Sequence, residues 1–335
     1  MNPTDQRPTT LPARLPVKPE TEIIAGWHTS ASAPTVSICC ATYNHEAYIE
    51  DAICGFLAQE TNFPFEVIIR DDASEDGTTA IVKQYAARYP NIVKAVINPE
   101  NEFRKGIRPS QIWPKLASGK YLAICEGDDF WTSPHKLQKQ VELLERHQEA
   151  VMSVALTDFF RQEDGVVERV RTTTASSSEL IYFEELQGLY FHTSTYVIRA
   201  DLFTEVVRNY FSGNTAMGDT ALRAILITHG PFAVLPEVVS VYRITGAGIW
   251  TALSREHQLA WEFQVAKRLT TTLTGRHSDA QRTKLYGISR QLMTSTLRSG
   301  KLMDGAKWGL LTFRYGLEET IRRAARRGKK LFKQG

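Results

Sequence analysis

VSICCATYNHEAYIEDAICGFLAQ, residues 36–59, and FEVIIRDD, residues 65–72, decide the fold. In each, a short run of apolar and β-branched residues stops at a polar turn. A stretch of helical period follows, from Glu46 to Gln59 after the first run and from Thr78 to Tyr89 after the second. Continuous rather than alternating apolar runs are what strands buried on both faces require. The same rhythm continues through VKAVIN (93–98), a helix around Ser110 to Ala117, YLAICEGDD (121–129), and a helix opened by Ser133 as N-cap with Pro134 at its first position. The expected fold class is α/β, a mostly parallel twisted sheet with helices on both faces.

Residues 1–33, ahead of that run, are rich in Pro, Thr and Ser without hydrophobic period and read as a disordered leader. Past Ala150 the rhythm loosens. VMSVALTDFF (151–160) and TYVIRADLF (195–203) read as extensions of the sheet on either side of a polar stretch, TTTASSSE (172–179). A helix near Asp219 to Thr228 and the run PFAVLPEVVSVYR (231–243) complete a domain expected over 34–250. Residues 251–335 are helical in period and form a C-terminal appendage with a basic tail.

The 335 residues suit about two structural units. With 42% hydrophobic and 23% charged residues, wholesale disorder and fibrous architecture are excluded. Cys39, Cys40, Cys54 and Cys125 sit in apolar runs without the C-x-x-C pairing of a zinc or redox site and read as reduced core residues. No stretch approaches the roughly 18 apolar residues of a spanning helix, and a cytoplasmic chain is expected. The net charge of +3 hides a division. Ile321 to Gly335 hold seven Lys or Arg and no acid, leaving the rest, 33 basic against 37 acidic, at −4. Interleaved with Ile321, Leu331 and Phe332, that tail resembles an interfacial helix drawn to an anionic membrane surface, with peripheral attachment at the inner face of the cell membrane. The acidic body offers no continuing basic face, so no nucleic-acid partner is expected.

In open α/β sheets ligands bind outside the carboxyl ends of the strands. That rule selects Thr42 and Tyr43 after the first strand, Asp71 and Asp72 after the second, and Glu126, Asp128 and Asp129 after the fourth. So many carboxylates in one crevice repel one another unless a cation is present, and an oxygen-only donor set favours Mg²⁺ or Mn²⁺. Ser74, Asp76 and Thr78 read instead as caps of the helix they precede. Tyr43 fits either core packing or stacking on a nucleobase.

ATYNHEAYIEDAICGFLAQ, VIIRDDASEDGT and GKYLAICEGDDFWTSPHKLQKQ together resemble the family 2 glycosyltransferases of GT-A fold, over about Pro34 to Trp250. The resemblance implies donor-nucleotide roles for Thr42, Tyr43, Asp71, Asp72 and Asp128, and a metal held by Asp129 as principal ligand with Asp128. It also implies Asp219 as catalytic base, although an Asp there also serves as a helix cap. Trp131, His192, Thr193 and Ser194 become the acceptor side, although residues 192–194 also read as a hydrogen-bonded turn; the planar fork of Arg243 suits a diphosphate or, equally, a surface salt bridge. Relatives often carry Y-R-x-H-x-x-G-x-W where this chain reads YRITGAGIW (242–250), with Thr245 in place of the histidine.

The implied activity is that of an inverting, metal-assisted glycosyltransferase of hexosyltransferase type in polysaccharide biosynthesis. It would use Mn²⁺ or Mg²⁺ to move a sugar from a UDP-linked donor to a glycan or lipid-linked acceptor. A nucleotidyltransferase is the nearest rival, but the ATYNHEAY turn lacks the glycine and lysine of its phosphate loop. A non-catalytic carbohydrate-binding protein on the same fold is the other.

Overall fold

The computed structural model describes residues 11–28, 33–169, 178–186, 189–211, 218–246, 248 and 250–331. Two compact units divide the chain: Met1–Asp219 with Leu226–Thr245, and Thr220–Ile225 with Gly246–Gly335.

The first unit is built on one sheet. In chain order its elements are α1 (Glu20–Ala25), β1 (Val36–Thr42), α2 (Ile49–Leu57), β2 (Phe65–Asp71), α3 (Thr78–Arg88), β3 (Val93–Ile97), α4 (Pro109–Leu116), β4 (Tyr121–Ile124), β5 (Phe130–Trp131) and α5 (Lys136–Arg146). After these come β6 (Met152–Arg161), β7 (Val166–Arg169), β8 (Leu180–Ile181), a 3₁₀ turn (Thr193–Thr195), β9 (Val197–Arg199), α6 (Ala200–Tyr210), α7 (Asp219–Leu226) and β10 (Phe232–Ile244). Thr220–Ile225 of α7 cluster with the second unit. The strand order is β3-β2-β1-β4-β9-β6-β10-β5, with β7 beside β6 and β8 beside β10.

β1 runs parallel to both β2 and β4, and β2 parallel to β3. This is the parallel half that the βαβα pattern announces. β9 pairs antiparallel with β4 and β6, turning the rest into a mixed sheet. β10 lies parallel to β6 with register shifts between Leu235 and Ser240. Pro236 sits at the first of these and has no N–H to give the ladder.

Helix α2 shows why the parallel half is stable. Ile49, Ala52, Ile53, Phe56 and Leu57 recur at helical spacing and are all buried, on the same core as Val36, Ile38, Val67 and Ile69 of the strands. The four cysteines are free and buried, as their apolar settings require, and burial pushes the thiols of Cys39, Cys40, Cys54 and Cys125 up.

Three local expectations are corrected. The leader is ordered over residues 11–28, where α1 forms and Ile23 is buried. Arg14 pairs with Glu50 and Asp51 at 2.6 and 2.7 Å, and Lys18 with Glu60 at 2.7 Å. Composition suggested disorder because these charged anchors lie some 40 residues away in sequence. The expected strand TYVIRADLF is a strand only over Val197–Arg199, and α6 begins at Ala200. Helix α5 begins at Lys136 rather than at Pro134. The cap comes from the loop after α2: the buried Gln59 side chain accepts the Leu137 N–H at 3.0 Å and donates to the Ser133 carbonyl at 2.8 Å. Of the polar stretch TTTASSSE, all but Ser178 and Glu179 lies outside the described residues.

The second unit carries α8 (Arg255–Thr272), α9 (Gly275–Arg298) and α10 (Leu302–Leu331). Their core is Leu259, Phe263 and Ala266 from α8, Leu285, Ile288 and Leu292 from α9, and Tyr315 from α10. Ser254 caps α8 by accepting the His257 N–H. Among the described residues no helix is long and apolar enough to cross a membrane.

One buried group costs stability. Lys136 is fully buried, its Nζ 4.1 Å from the Trp131 ring centroid and without a hydrogen-bond partner among the described residues. Burial pushes its pKa down to about 7. The unfolded chain therefore binds the extra proton between about pH 7 and 10.5, and the penalty is full below pH 7 and fades as the pH rises. Lys136→Met is expected to stabilise the protein by on the order of 2 kcal/mol at pH 7. Thermal melts should show that gain shrinking as the pH approaches 10, and a constant gain would refute the assignment.

Candidate functional site

The carboxyl ends of β1, β2 and β4 adjoin one another because the three strands are parallel neighbours. The loops that follow are locked together. Asn44, at φ 53°, donates its N–H to Ser74 Oγ at 2.9 Å and accepts the Glu75 N–H at 2.8 Å. His45 N–H donates to Thr78 Oγ1 and Glu46 N–H to Asp76 Oδ2, while Glu46 accepts the Gly77 N–H in return. Asp76 also accepts the Thr78 N–H at the start of α3, the capping role expected of it. The acid loop after β4 joins this floor at Gly127, which donates to the Ala41 carbonyl at 2.9 Å. A Cβ at Gly127 would stand 2.7 Å from Thr42 Oγ1 and 2.9 Å from Ile49 Cδ1, so only glycine fits.

The first acidic pair is spent inside the protein. Asp71 accepts from Ser74 N and Oγ and from Thr79 Oγ1. Asp72 accepts four bonds, from Arg70, Asn98, Glu102 N and Phe103 N. Asp71 thereby secures the start of α3, and Asp72 secures the 102–103 segment. That segment presents Arg104, whose Nη2 donates to Tyr43 Oη at 3.1 Å. Thr42 is buried and its Oγ1 has no partner among the described residues.

The second acidic group divides. Asp129 is 2% exposed, its Oδ1 accepts the Arg243 N–H at 2.9 Å, and its Oδ2 faces His192 Nδ1 at 3.5 Å. Burial, then Asp128 and Glu126, push its pKa well above the ordinary carboxylate range. It is a buried anchor between the Arg243 N–H and His192. Asp128 and Glu126 are only partly buried. Glu126 accepts from Thr193 Oγ1 at 3.2 Å, and burial followed by the charges of Asp128 and Asp219 pushes its pKa up to about 7.

Asp219 is the exposed first residue of α7. Its charge is felt at Glu126 and at the Tyr242 phenol, whose pKa is raised by burial and by Asp129, Asp128, Glu126 and Asp219. Among the described residues no three His, Cys, Asp or Glu side chains form a ready-made cation cage. The crevice-facing donors are oxygens, which suits Mg²⁺ or Mn²⁺ completing its shell with water and substrate phosphate.

Arg243, expected at the diphosphate, is engaged inside the protein. It is 4% exposed, its Nε donates to the Asp128 carbonyl at 3.0 Å, and its Nη2 pairs with Asp51 at 2.8 Å. Trp131, expected at the acceptor side, is 1% exposed, donates Nε1–H to the Ser194 carbonyl at 2.8 Å and packs edge-on against Phe56. His192 is buried, stacks on Tyr242 with centroids 4.2 Å apart, and accepts the Ser194 N–H. Burial pushes its pKa down to about 3, so it is neutral at physiological pH. Ser194 is buried in a hydroxyl chain with Ser240 and Thr157. Of the four acceptor-side candidates, Thr193 donates its hydroxyl to Glu126 and His192 faces Asp129.

Two residues escaped the sequence reading. His45 Nε2 lies 3.8 Å from Asp128 Oδ2, and Tyr242 sits among the acids. The register of the Thr-Tyr-Asn-His turn placed His45 two residues beyond the positions singled out, and Tyr242 lay beside the arginine that drew attention.

The sequence profile of glycosyl transferase family 2 matches residues 37–206, just over half of the chain. An uncharacterized protein of Mycobacterium tuberculosis, Rv1520, is 33% identical over 281 residues, 80% of this chain and 78% of its own. EpsE of Bacillus subtilis, which bears a glycosyltransferase name, is 38% identical over 116 residues, 35% of this chain and 40% of its own. In fold, the chain is similar to S. aureus TarS 1-349, with a TM-score of 0.55 at 16% identity over 85% of this chain and 92% of that one. The TarS structure in complex with UDP-GlcNAc superposes with a TM-score of 0.52.

Arg243→Gln is expected to lower the unfolding free energy by about 2 kcal/mol, because it removes the buried bonds to Asp51 and to the Asp128 carbonyl, Asp51 keeping its pair with Arg14. Denaturant melts test this. A variant as stable as the parent but defective in nucleotide binding would return Arg243 to the diphosphate.

Proposed function

The chain belongs to glycosyl transferase family 2, and on that premise we propose that it moves a sugar from a nucleoside diphosphate donor to a hydroxyl of a glycan or lipid-linked acceptor, with inversion at the anomeric carbon. The observation that carries the reading is the pair Glu126 and Asp128, left partly exposed after β4, with Thr193 Oγ1 on the first at 3.2 Å and His45 Nε2 3.8 Å from the second. Such an arrangement of carboxylates has no structural benefit of its own.

In this reading Thr42, Tyr43 and Arg104 form the nucleoside wall, with Asp72 holding the 102–103 segment behind it. A UDP-linked donor is the specific proposal, supported by the UDP-GlcNAc complex of the fold neighbour TarS. Asp128 and Glu126, rather than Asp129, would hold the divalent cation, with His45 beside Asp128. When bound, Mn²⁺ or Mg²⁺ supplies Lewis-acid neutralisation of the departing diphosphate. Asp219 takes the acceptor proton as the new C1–O bond forms and the C1–O bond to phosphate breaks. A single base with direct displacement gives inversion. Thr193 orients Glu126 at the acceptor side.

The same proposal places the enzyme at the cytoplasmic face of a membrane, in polysaccharide biosynthesis. What supports the location is charge: residues 246–335 hold 18 Lys or Arg against 6 Asp or Glu, net +12, so residues 1–245 are −9 within the total of +3.

Asp219→Asn is expected to keep UDP-sugar affinity within about twofold while transfer falls by roughly 10²–10⁴. Titration calorimetry and product assays read the two separately, and undiminished turnover removes Asp219 from the base role. Asp128→Ala is expected to abolish Mn²⁺-stimulated UDP binding, whereas Asp129→Asn retains it. The reverse pattern would restore Asp129 as the metal ligand.

A further inference from the structure

Helix α10 is apolar on two opposite faces. One packs within its own unit. Trp308, Leu311 and Tyr315 lie in a cluster with Leu259, Phe263, Leu285 and Ile288. An added Cβ at Gly305 would collide with Leu297 of α9, and Arg322 pairs with Asp279 and Glu319. The other face carries Met303, Leu310, Phe313, Leu317 and Ile321, each between 52% and 86% exposed. At helical pitch these five fall within a stripe about 80° wide, roughly half a turn from the packed face, and span about 27 Å of axis. Scattered exposed leucines need no explanation, but five large apolar residues in one register do.

Charge selects the occupant. The stripe leads into a segment without a single acid from Ile321 to Gly335, within residues 246–335 of net +12. A second copy laid on the same stripe would bring two strongly positive units together. An anionic lipid surface meets both demands, because acyl chains receive the stripe and headgroups receive the cations. Lys307 and Arg314 follow the stripe along one edge of the helix, at about 120–140° where the stripe ends near 100°. Long cationic side chains there can keep their charges at headgroup level.

We propose that α10 lies in the plane of an anionic membrane, with Met303, Leu310, Phe313, Leu317 and Ile321 entering the headgroup boundary. This rests on the peripheral location given above and assigns the face that makes the contact. The test is sedimentation of the full-length protein with sucrose-loaded vesicles of equimolar phosphatidylglycerol and phosphatidylcholine, and with phosphatidylcholine alone. Two variants accompany it: Leu310→Ser with Phe313→Ser, and Arg326→Gln with Arg327→Gln, Lys329→Gln and Lys330→Gln. The parent should pellet with the anionic vesicles only. Each variant should partition about tenfold less with unchanged circular dichroism and melting.

If the stripe variant pellets like the parent while the charge variant does not, the assigned face is wrong and the peripheral location stands. A parent that stays in the supernatant overturns both. A parent that is dimeric by sedimentation velocity, with a monomeric stripe variant, gives the face to a second copy and overturns the proposal.

Discussion

A guanidinium cannot shed its proton, so burying one forces its surroundings to supply acceptors on every side. Arg243 imposes that constraint at the end of β10. Asp51 from α2, the carbonyl of Asp128 and the side chain of Gln162 all turn toward it. The rings of Tyr48 and Phe130 lie 4.9 and 5.1 Å from its charge. Its own N–H fixes Asp129. With Gly127 wedged against Thr42, the loop from Glu126 to Asp129 is held at both ends. Glu126 and Asp128 are the acids of that loop left partly exposed, and the chemistry depends on where this buried cation has put them.

The parallel half of the sheet was legible because its strands are fully buried, so VSICCAT and FEVIIRDD carry uninterrupted apolar runs that local periodicity detects. The mixed half was less so. TYVIRADLF is β-rich in composition, yet only three of its residues find a strand partner before α6 begins, and that outcome depends on pairing with β4 and β6 rather than on the segment itself. The N-cap at Ser133 failed for a similar reason, since Gln59 arrives from a loop more than 70 residues earlier in the chain.

The site shows the same boundary between local and tertiary information. That polar residues cluster after β1, β2 and β4 follows from the strand-end rule. Which of them face outward does not. Asp71 and Asp72 look alike in sequence to Asp128 and Asp129, but three of these four are occupied by hydroxyls, amides or Arg243 that arrive from other segments. Arg243 and Trp131 were drawn to the ligand by residue type, and burial assigns both to the interior. His192 at the same positions is a neutral stacking partner of Tyr242 rather than a group open to an acceptor.

The reciprocal bonds between residues 44–46 and 74–78 carry a further meaning. A crevice floor already stitched together before any ligand arrives has little conformational entropy left to lose, so affinity on that side is not diminished by ordering. Discrimination among sugars is then shifted away from the stitched turns, toward whatever parts of the crevice remain free to rearrange around the guest.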